Sequence, residues 1–296
     1  MAEPLRVLSL GAGVQSTTLL LMAIHGEFES RPDVAIFSDT GWEPPSVYAH
    51  LDWLQGISEA NGIPVARVQA GNLREDIMRA ATQGTRIANP PFFTIGTQTI
   101  FDTESFINSD GEEDEEVVGT REIEGKGILR RNCTQDYKIQ PIRKRIRQLF
   151  KESGASHVEQ WYGISWDEIQ RVRTSDVKYI TNRYPLVERQ ITRWGCIVWM
   201  QERGYPTPPK SSCIGCPYHS DEFWRDMKLN APEDFADAVV VDVAIRDGLP
   251  GVKGRAFMHR SCKPLAEVDF RNAEDRGQLS IFGGEFGDEC GGMCGV

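Results

Sequence analysis

Leu8-Ser9-Leu10-Gly11-Ala12-Gly13-Val14-Gln15-Ser16-Thr17-Thr18 is the stretch that decides the fold. It ends a short apolar strand, residues 6–10, in a Gly/Ser/Thr-rich turn, and an apolar run of helical density, residues 19–24, follows. A glycine turn at a helix start offers unpaired backbone N–H groups and the positive end of the helix dipole, and Ser16 and Thr17 add hydroxyl donors. The turn therefore predicts a phosphate-binding site. It lacks both the spaced lysine of a Walker loop and the full dinucleotide fingerprint.

Strands and helices alternate after this turn. A second strand, residues 34–38, ends at Asp39-Thr40-Gly41, a helix is predicted over 46–61, and a third strand over 65–68. A basic amphipathic helix, 141–150, and a strand around 158–164 follow. This order predicts an α/β, Rossmann-like fold with a parallel sheet flanked by helices, whose ligand site lies beyond the carboxyl ends of the strands. Both polar turns fall at that edge.

Three of the seven cysteines have the spacing of a metal–sulfur site. Cys213 and Cys216 are two residues apart and can bind one centre from a single turn, and Cys133, about eighty residues earlier, adds a third thiolate. A 4Fe-4S cluster and, alternatively, zinc both fit these ligands. The fourth ligand is Cys262, Cys196 or a tail cysteine, or the fourth iron is open. An odd cysteine count in a reducing compartment argues against structural disulfides.

Composition limits the partners. The 296 residues are 40% hydrophobic, which suffices for a full core, and 33 basic against 43 acidic residues give a net charge of −10. A surface of this sign repels polyanions, so nucleic acid would need a local basic patch. No leader pattern or membrane-length apolar run is present, which predicts a cytoplasmic protein without membrane contact. The polar stretch from about 94 to 126, with its acidic run at 110–116, predicts a solvated loop or flap.

Five segments together resemble a known family. The first turn and Phe37-Ser-Asp-Thr-Gly-Trp-Glu-Pro-Pro-Ser-Val-Tyr48 resemble the first two motifs of the phosphoadenosine phosphosulfate (PAPS) reductase family, within the PP-loop adenine nucleotide α-hydrolase-like superfamily. Residues 163–171, residues 184–188 and Glu289-Cys290-Gly291 fit the same family. The resemblance implies a PP-loop/HUP-type domain over 1–205, interrupted by the acidic insertion. A C-terminal, cysteine-bearing region and tail would then span 206–296.

The resemblance also implies roles for particular residues. Lys138 and Arg171, with Arg173 as a further candidate, would contact phosphate or sulfate, and Cys290 in its glycine-rich tail would be a mobile nucleophile. Cys133 and the segment after it are similar to the first cluster segment of the cluster-containing adenylyl-sulfate reductases, although those carry a cysteine pair there. The implied nucleotide-binding residues occupy the ends of the first two strands, and they are Ser9, Gly11, Gly13, Gln15, Ser16, Thr17, Ser38, Asp39, Thr40 and Gly41.

Three functions remain open at this point. The first is reduction of an adenylyl sulfate: Cys290 attacks sulfur and a dithiol reductant releases sulfite. The alternative is an ATP-dependent, adenylating sulfurtransferase, with or without Mg²⁺, that takes sulfur from a donor and thiolates a nucleic acid or a small molecule. The third is a non-catalytic nucleotide or zinc sensor. Gln15 stands where ATP-cleaving relatives usually carry Asp, which favours the first, whereas the missing paired cysteine favours the second.

Overall fold

The computed structural model describes residues 3–85 and 90–271. Its central sheet has five strands in the order β3-β2-β1-β6-β7, and every neighbouring pair is parallel. The predicted Rossmann-like α/β fold is confirmed. The strands of this sheet are β1 Leu5–Leu10, β2 Val34–Asp39, β3 Val65–Gln69, β6 Val158–Tyr162 and β7 Ile180–Arg183.

Eight α-helices and a smaller sheet surround it in the described residues. The small sheet has the order β5-β4-β8, with β4 Phe93–Ile107, β5 Glu113–Ile128 and β8 Arg255–Phe257. A π-helical turn, Gln135–Ile139, leads directly into α4, and a 3-10 turn, Trp166–Arg171, follows β6. The helices are α1 Val14–Ile24, α2 Pro45–Ala60, α3 Leu73–Gln83, α4 Gln140–Ser153, α5 Pro185–Glu188, α6 Arg193–Glu202, α7 Asp221–Asn230 and α8 Pro232–Ile245.

The sheet is buried on both faces, which explains the apolar strands. In β1, Leu8 and Leu10 pack with α1, α2 and α6, whereas Leu5 and Val7 pack with Ile146 of α4. A strand covered on both sides reads as a continuous apolar run because alternate residues enter different cores. Covering both faces leaves the carboxyl ends of the strands as the open edge of the sheet.

A third core joins the C-terminal region to the rest of the chain. Helices α3, α7 and α8 and strand β8 pack around it, together with Trp42, Tyr137 and Ile214. The segment that carries Cys213 is therefore attached to residues that follow β2. The domain boundary near residue 205 stays a prediction. None of the helices in the described parts of the chain is long and apolar enough to cross a bilayer.

The acidic insertion is a correction to the sequence analysis. The region expected to be a loop forms a long antiparallel hairpin of β4 and β5, which we call the acidic arm, residues 93–128. Asn108 Oδ1 accepts hydrogen bonds from the N–H groups of Asp110 and Glu112, and Gly111 has φ 81°, so the tip is a built turn. The prediction gave the acidic run more weight than the Thr, Ile, Phe and Val residues that favour strands.

We expect the outer part of the acidic arm to contribute little to stability. Phe101 is 61% exposed and Val117 is 54% exposed, so the ribbon buries little apolar area. Thr97 and Glu124 face each other across the ladder, and replacing 98–123 by Asn-Gly would close the hairpin there. The free energy of unfolding, measured in urea, should change by less than about 1 kcal/mol. A loss of several kcal/mol would contradict this description.

Candidate functional site at the carboxyl edge of the sheet

The glycine turn between β1 and α1 is held by its own groups. Ser16 Oγ accepts a hydrogen bond from the Gly11 N–H (3.2 Å) and donates one to the Gly13 carbonyl (3.3 Å). The Thr17 N–H donates to the same carbonyl at 3.0 Å. Ala12 has φ 55°, a left-handed conformation that costs a residue with a Cβ about 1–2 kcal/mol. Such strain concentrates at ligand-binding turns.

Two hydroxyls that were predicted to face a nucleotide point elsewhere. Thr17 Oγ1 lies 3.0 Å from His50 Nε2 in the core, and burial lowers the pKa of His50, which keeps that imidazole neutral. Ser38 Oγ donates to the carbonyl of Tyr137 at 2.6 Å. Both side chains therefore join secondary-structure elements to one another. Which face of α1 or β2 a hydroxyl occupies depends on packing that the local sequence does not define.

Gln15 connects the glycine turn to two other segments. Its Nε2 donates to Glu168 Oε2 (3.2 Å), and its Oε1 accepts from Arg193 Nη1 (3.1 Å). Arg171 Nη1 donates to the same Glu168 oxygen at 2.7 Å. The first residues of α1, the 3-10 turn and the start of α6 thus share one hydrogen-bond network.

The end of β2 forms a tight turn around Asp39. Its Oδ1 accepts from the Gly41 N–H (2.7 Å) and from the Tyr48 hydroxyl (2.8 Å). Burial, and next the bonded Asp39, raise the pKa of Tyr48, so its hydroxyl stays protonated as the donor. Gly41 has φ 73°, and a Cβ there would meet Asn72 Nδ2 at 2.9 Å. Asp39 Oδ2 makes no hydrogen bond within the described part of the chain and is the oxygen left for a ligand.

The Cys213–Cys216 turn docks on the residue after this glycine. The Ile214 N–H donates to the Trp42 carbonyl (2.9 Å), and a Cβ on Gly215 would lie 2.0 Å from the Trp42 ring. His219 Nε2 donates to the carbonyls of Cys213 (2.9 Å) and Ile214 (3.1 Å). His219 therefore braces the backbone of this turn.

Cys213 and the two polar turns lie at one edge of the sheet. Thr40 Oγ1 lies 3.4 Å from Cys213 Sγ, and a Cβ on Gly13 would lie 2.6 Å from Ser211 Oγ. Cys133 precedes the π-helical turn and packs, like Cys213, against the third core. The glycine turn, the end of β2 and the segment that carries Cys213 are therefore neighbours in space.

Glu43 lies between the thiol and a cation. This carboxylate is 5% exposed, and its Oε1 accepts from Thr40 Oγ1 at 3.0 Å. The same oxygen is 3.7 Å from Lys138 Nζ and 3.7 Å from Cys213 Sγ. Its Oε2 is buried and has no hydrogen-bond partner among the described residues.

A cationic pocket of about 310 Å³ opens beside these groups, between β1, β6 and α4. Five of its lining residues are basic and none is acidic. Three of the cations have carboxylate partners outside the lining: Lys138 pairs with Glu43, Arg143 with Asp176 and Arg171 with Glu168. The lining residues are Ser9, Arg131, Lys138, Ile139, Ile142, Arg143, Gln160, Tyr162, Arg171, Arg173, Thr174, Ser175 and Asn182.

The pocket retains positive charge after these pairings. Arg131 Nη1 is buried without a hydrogen-bond partner in the described residues, and Arg173 Nη1 donates only to the carbonyls of Gln170 and Val172. Burial, and next Tyr184, raise the pKa of Tyr162, so its hydroxyl is a neutral donor in the pocket wall. Arginine guanidinium groups whose N–H donors have no protein acceptor can form paired hydrogen bonds with phosphate or sulfate oxygens. The pocket therefore fits a multiply charged anion.

The remaining predicted site cysteines lie in different places. Cys196 is buried between α6 and α1, and burial raises its thiol pKa to about 12, as suits an apolar filler. Cys262, at φ 57°, faces the carbonyls of Thr94 and Arg260 at 4.0 and 3.9 Å, and burial raises its pKa. Cys290 lies outside the described residues.

The thiolates fit an iron–sulfur cluster in their chemistry. Cys133, Cys213 and Cys216 are soft ligands, and the orphan Glu43 oxygen adds a buried anionic donor beside them. Within residues 3–85 and 90–271, no three His, Cys, Asp or Glu side chains are arranged to hold one metal ion. Zinc therefore stays a prediction, as does the choice of Cys133, Cys213 and Cys216 as the residues that would hold a cluster.

The fold and the site together define a class: an α/β protein with an anion pocket and thiols at the carboxyl edge of its sheet. No protein-family model matches the chain, and no curated protein matches it. Among solved structures, it is similar to the U34-tRNA thiolase NcsA from Methanococcus maripaludis, whose structure contains a 4Fe-4S cluster. The match has 13% identity and a TM-score of 0.36, and it covers 95% of this chain and 84% of that one. Similarity at this level assigns neither a family nor an activity.

Sequence reasoning assigned no role to Glu43, Glu168 or Arg193. Arg193 and Glu168 both form hydrogen bonds with Gln15. Each lies more than 150 residues from Gln15 in the sequence, so the local sequence does not indicate the contact. One local signal was available for Glu43. A charged residue directly before Pro44-Pro45, at the carboxyl end of a buried strand, falls where ligands bind.

Gly163 is a further residue without a predicted role, and it provides a test of the glycine turn. A Cβ at this position would lie 2.6 Å from both N and Cα of Ser16, which are backbone atoms that cannot step aside. We expect Gly163→Ala to displace the start of α1 and to lower stability by about 2 kcal/mol in urea titrations. Gly56→Ala is the matched control, because nothing lies within 4 Å of that helical position. Equal stability of the two variants would contradict the close approach.

Proposed function

We propose that the chain is an ATP-dependent sulfurtransferase of the PP-loop type. Its proposed reaction adenylates an acceptor oxygen and then replaces that oxygen with sulfur. One observation carries the proposal. Lys138 lines the cationic pocket and pairs with Glu43, which contacts Cys213, so the anion pocket and the thiol site adjoin through two side chains.

The pocket supports a nucleotide with a long phosphate chain. Five basic residues carry more positive charge than one phosphate needs. Arg131 and Arg173 also have N–H donors that bond to no carboxylate among the described residues. We assign the phosphates to this pocket and to the N–H groups of the glycine turn, whose geometry is fixed in advance. Asp39 Oδ2 is the carboxylate oxygen available for Mg²⁺ on the phosphates.

The acceptor that we propose is a nucleic acid. The acidic arm carries ten acidic and two basic residues, so it contributes −8 to the net charge of −10. Residues 129–151, which follow it, carry eight basic residues and one acidic residue. This basic segment includes the pocket residues Arg131, Lys138 and Arg143 and continues onto exposed positions of α4. A polyanion could thus reach the pocket despite the acidic total.

The residues support two successive displacements. In the first, an acceptor oxygen attacks the α-phosphorus of ATP, the α–β P–O bond breaks, and pyrophosphate leaves with its charge held by Lys138 and Arg171. In the second, a sulfur nucleophile from an external donor attacks the activated carbon, and AMP leaves with the former acceptor oxygen. Cys133, Cys213 and Cys216 would hold a 4Fe-4S cluster, which supplies Lewis-acid iron for binding sulfur.

Reduction of an adenylyl sulfate is the second candidate. Gln15 favours it, because its neutral amide, bonded to Glu168 and Arg193, replaces a carboxylate that ATP-cleaving relatives usually carry. In that reaction Cys290 would attack sulfur, and AMP or adenosine bisphosphate would leave. A dithiol would then release sulfite.

Product analysis separates these functions. Anaerobically purified protein is assayed for iron, sulfide and zinc, and is then incubated with ATP, sulfide and bulk tRNA, or with adenylyl sulfates and a dithiol. We expect iron and sulfide, AMP and pyrophosphate in equal amounts, and thiolated nucleic acid. Sulfite would instead establish the reductase. Nucleotide binding without turnover, in protein that holds zinc or no metal, would contradict both and leave the sensor.

A further inference from the structure

Glu43 carries an oxygen that the described residues do not satisfy. The side chain is 3% exposed, its Oε1 has three polar neighbours, and its Oε2 is buried without a hydrogen bond. A buried, unsatisfied anionic oxygen is costly, and native structures retain one where a ligand completes it. The cation at hand, Lys138, approaches the other oxygen at 3.7 Å.

The surroundings of Glu43 select a metal as that partner. Cys213 Sγ is 3.7 Å from Oε1, and the Trp42 carbonyl, one residue before Glu43, holds the Ile214 N–H. Once Cys213 is a metal-bound thiolate, two anions lie side by side in a buried place, with one cation, Lys138, next to them. A metal centre that binds both groups turns this repulsion into attraction.

Two of the cysteines considered as a fourth ligand, Cys196 and Cys262, have other surroundings in the described residues. Cys196 lies in the core between α1 and α6, and Cys262 faces the carbonyls of Thr94 and Arg260. Glu43 is on the same side of the site as Cys213 by direct contact.

The geometry points to Glu43 as the fourth protein ligand of the cluster held by Cys133, Cys213 and Cys216. This inference rests on the proposed function, since it requires the cluster. A carboxylate oxygen is a harder ligand than a thiolate, and iron in a sulfur-rich centre exchanges it more readily for sulfide. Glu43 would thus be the ligand that an incoming sulfur donor replaces.

The test compares the full chain with Glu43→Gln and Glu43→Cys after anaerobic reconstitution with iron and sulfide. Asp76→Asn is the matched control, because Asp76 binds the Tyr137 hydroxyl on the neighbouring π-helical turn and has no thiol contact. Iron per chain is measured, and electron paramagnetic resonance spectra are recorded before and after brief oxidation. Cys290→Ser/Cys294→Ser tests the tail thiols as rivals.

We expect Glu43→Gln to lose about one of four irons on oxidation and to give a three-iron spectrum. Glu43→Cys should retain all four irons with a changed spectrum, and the control and the tail variant should match the wild type. Identical behaviour of Glu43→Gln and wild type, or loss of iron only in the tail variant, overturns the assignment of Glu43 and leaves the proposed function standing. Wild-type protein that takes up no cluster overturns both.

Discussion

Lys138→Met is expected to weaken nucleotide binding and to destabilise the free protein. The pocket loses one of five cations, and a charge-assisted contact to phosphate is worth about 2 kcal/mol, or roughly 30-fold in Kd. Glu43 also loses its cation while remaining buried. Because Lys138 is partly exposed, we expect this loss to lower the free energy of unfolding by on the order of 2 kcal/mol. Titration calorimetry with ATP and urea unfolding measure the two effects.

The double variant Lys138→Met/Glu43→Gln separates these effects. Removing the carboxylate charge should restore most of the lost stability, because no unpaired buried anion remains. Nucleotide affinity should stay low, because the pocket still lacks its cation. If the double variant were as unstable as Lys138→Met, the instability would not come from an unpaired Glu43, and the pairing of these two side chains would be contradicted.

Gly215→Ala is expected to displace the thiol turn. The new methyl group would lie 2.0 Å from the Trp42 ring, and an indole packed in a core cannot move away cheaply. We expect a loss of about 3 kcal/mol in stability, from overpacking, and a loss of most of the bound iron, because Cys213 and Cys216 shift with the turn. Urea unfolding and iron analysis after reconstitution are the measurements.

A smaller residue at position 42 provides the control. Trp42→Leu removes the ring atoms that the methyl group would meet, so Gly215→Ala should cost less in the Trp42→Leu background than in wild type. Equal costs in the two backgrounds would mean that the turn does not rest on Trp42. If Gly215→Ala retained its iron, iron binding would not depend on the position of this turn.

Four of the five strands of the central sheet were predictable because they are short, apolar and bounded by turn residues, whereas β7 was not predicted. Val34–Asp39 and Val158–Tyr162 are buried parallel strands, and their pattern does not depend on distant contacts. The acidic arm was missed for the opposite reason. Ten acidic residues suggested a solvated loop, whereas pairing of β4 with β5 places them on an exposed ribbon that tolerates charge.

The location of the site at the carboxyl edge of the sheet was predictable from the strand order and from the family resemblance. Lys138 and Arg171, implied by family resemblance, line the same pocket, and the two polar turns meet at one edge. The orientation of individual side chains was not predictable. Thr17 and Ser38 turn inward toward His50 and the Tyr137 carbonyl, and Glu43 lies next to Trp42, on which the Cys213–Cys216 turn docks. These are contacts between segments far apart in sequence.

The most direct test asks whether bound phosphate and the thiolate-held metal share one cavity. Pulsed electron paramagnetic resonance on reduced, iron-loaded protein saturated with ATP detects phosphorus nuclei close to the cluster spin. We predict a phosphorus coupling that disappears in Lys138→Met at the same ATP concentration. A loaded, nucleotide-saturated wild type without that coupling, or a chain that binds no cluster, would contradict the account.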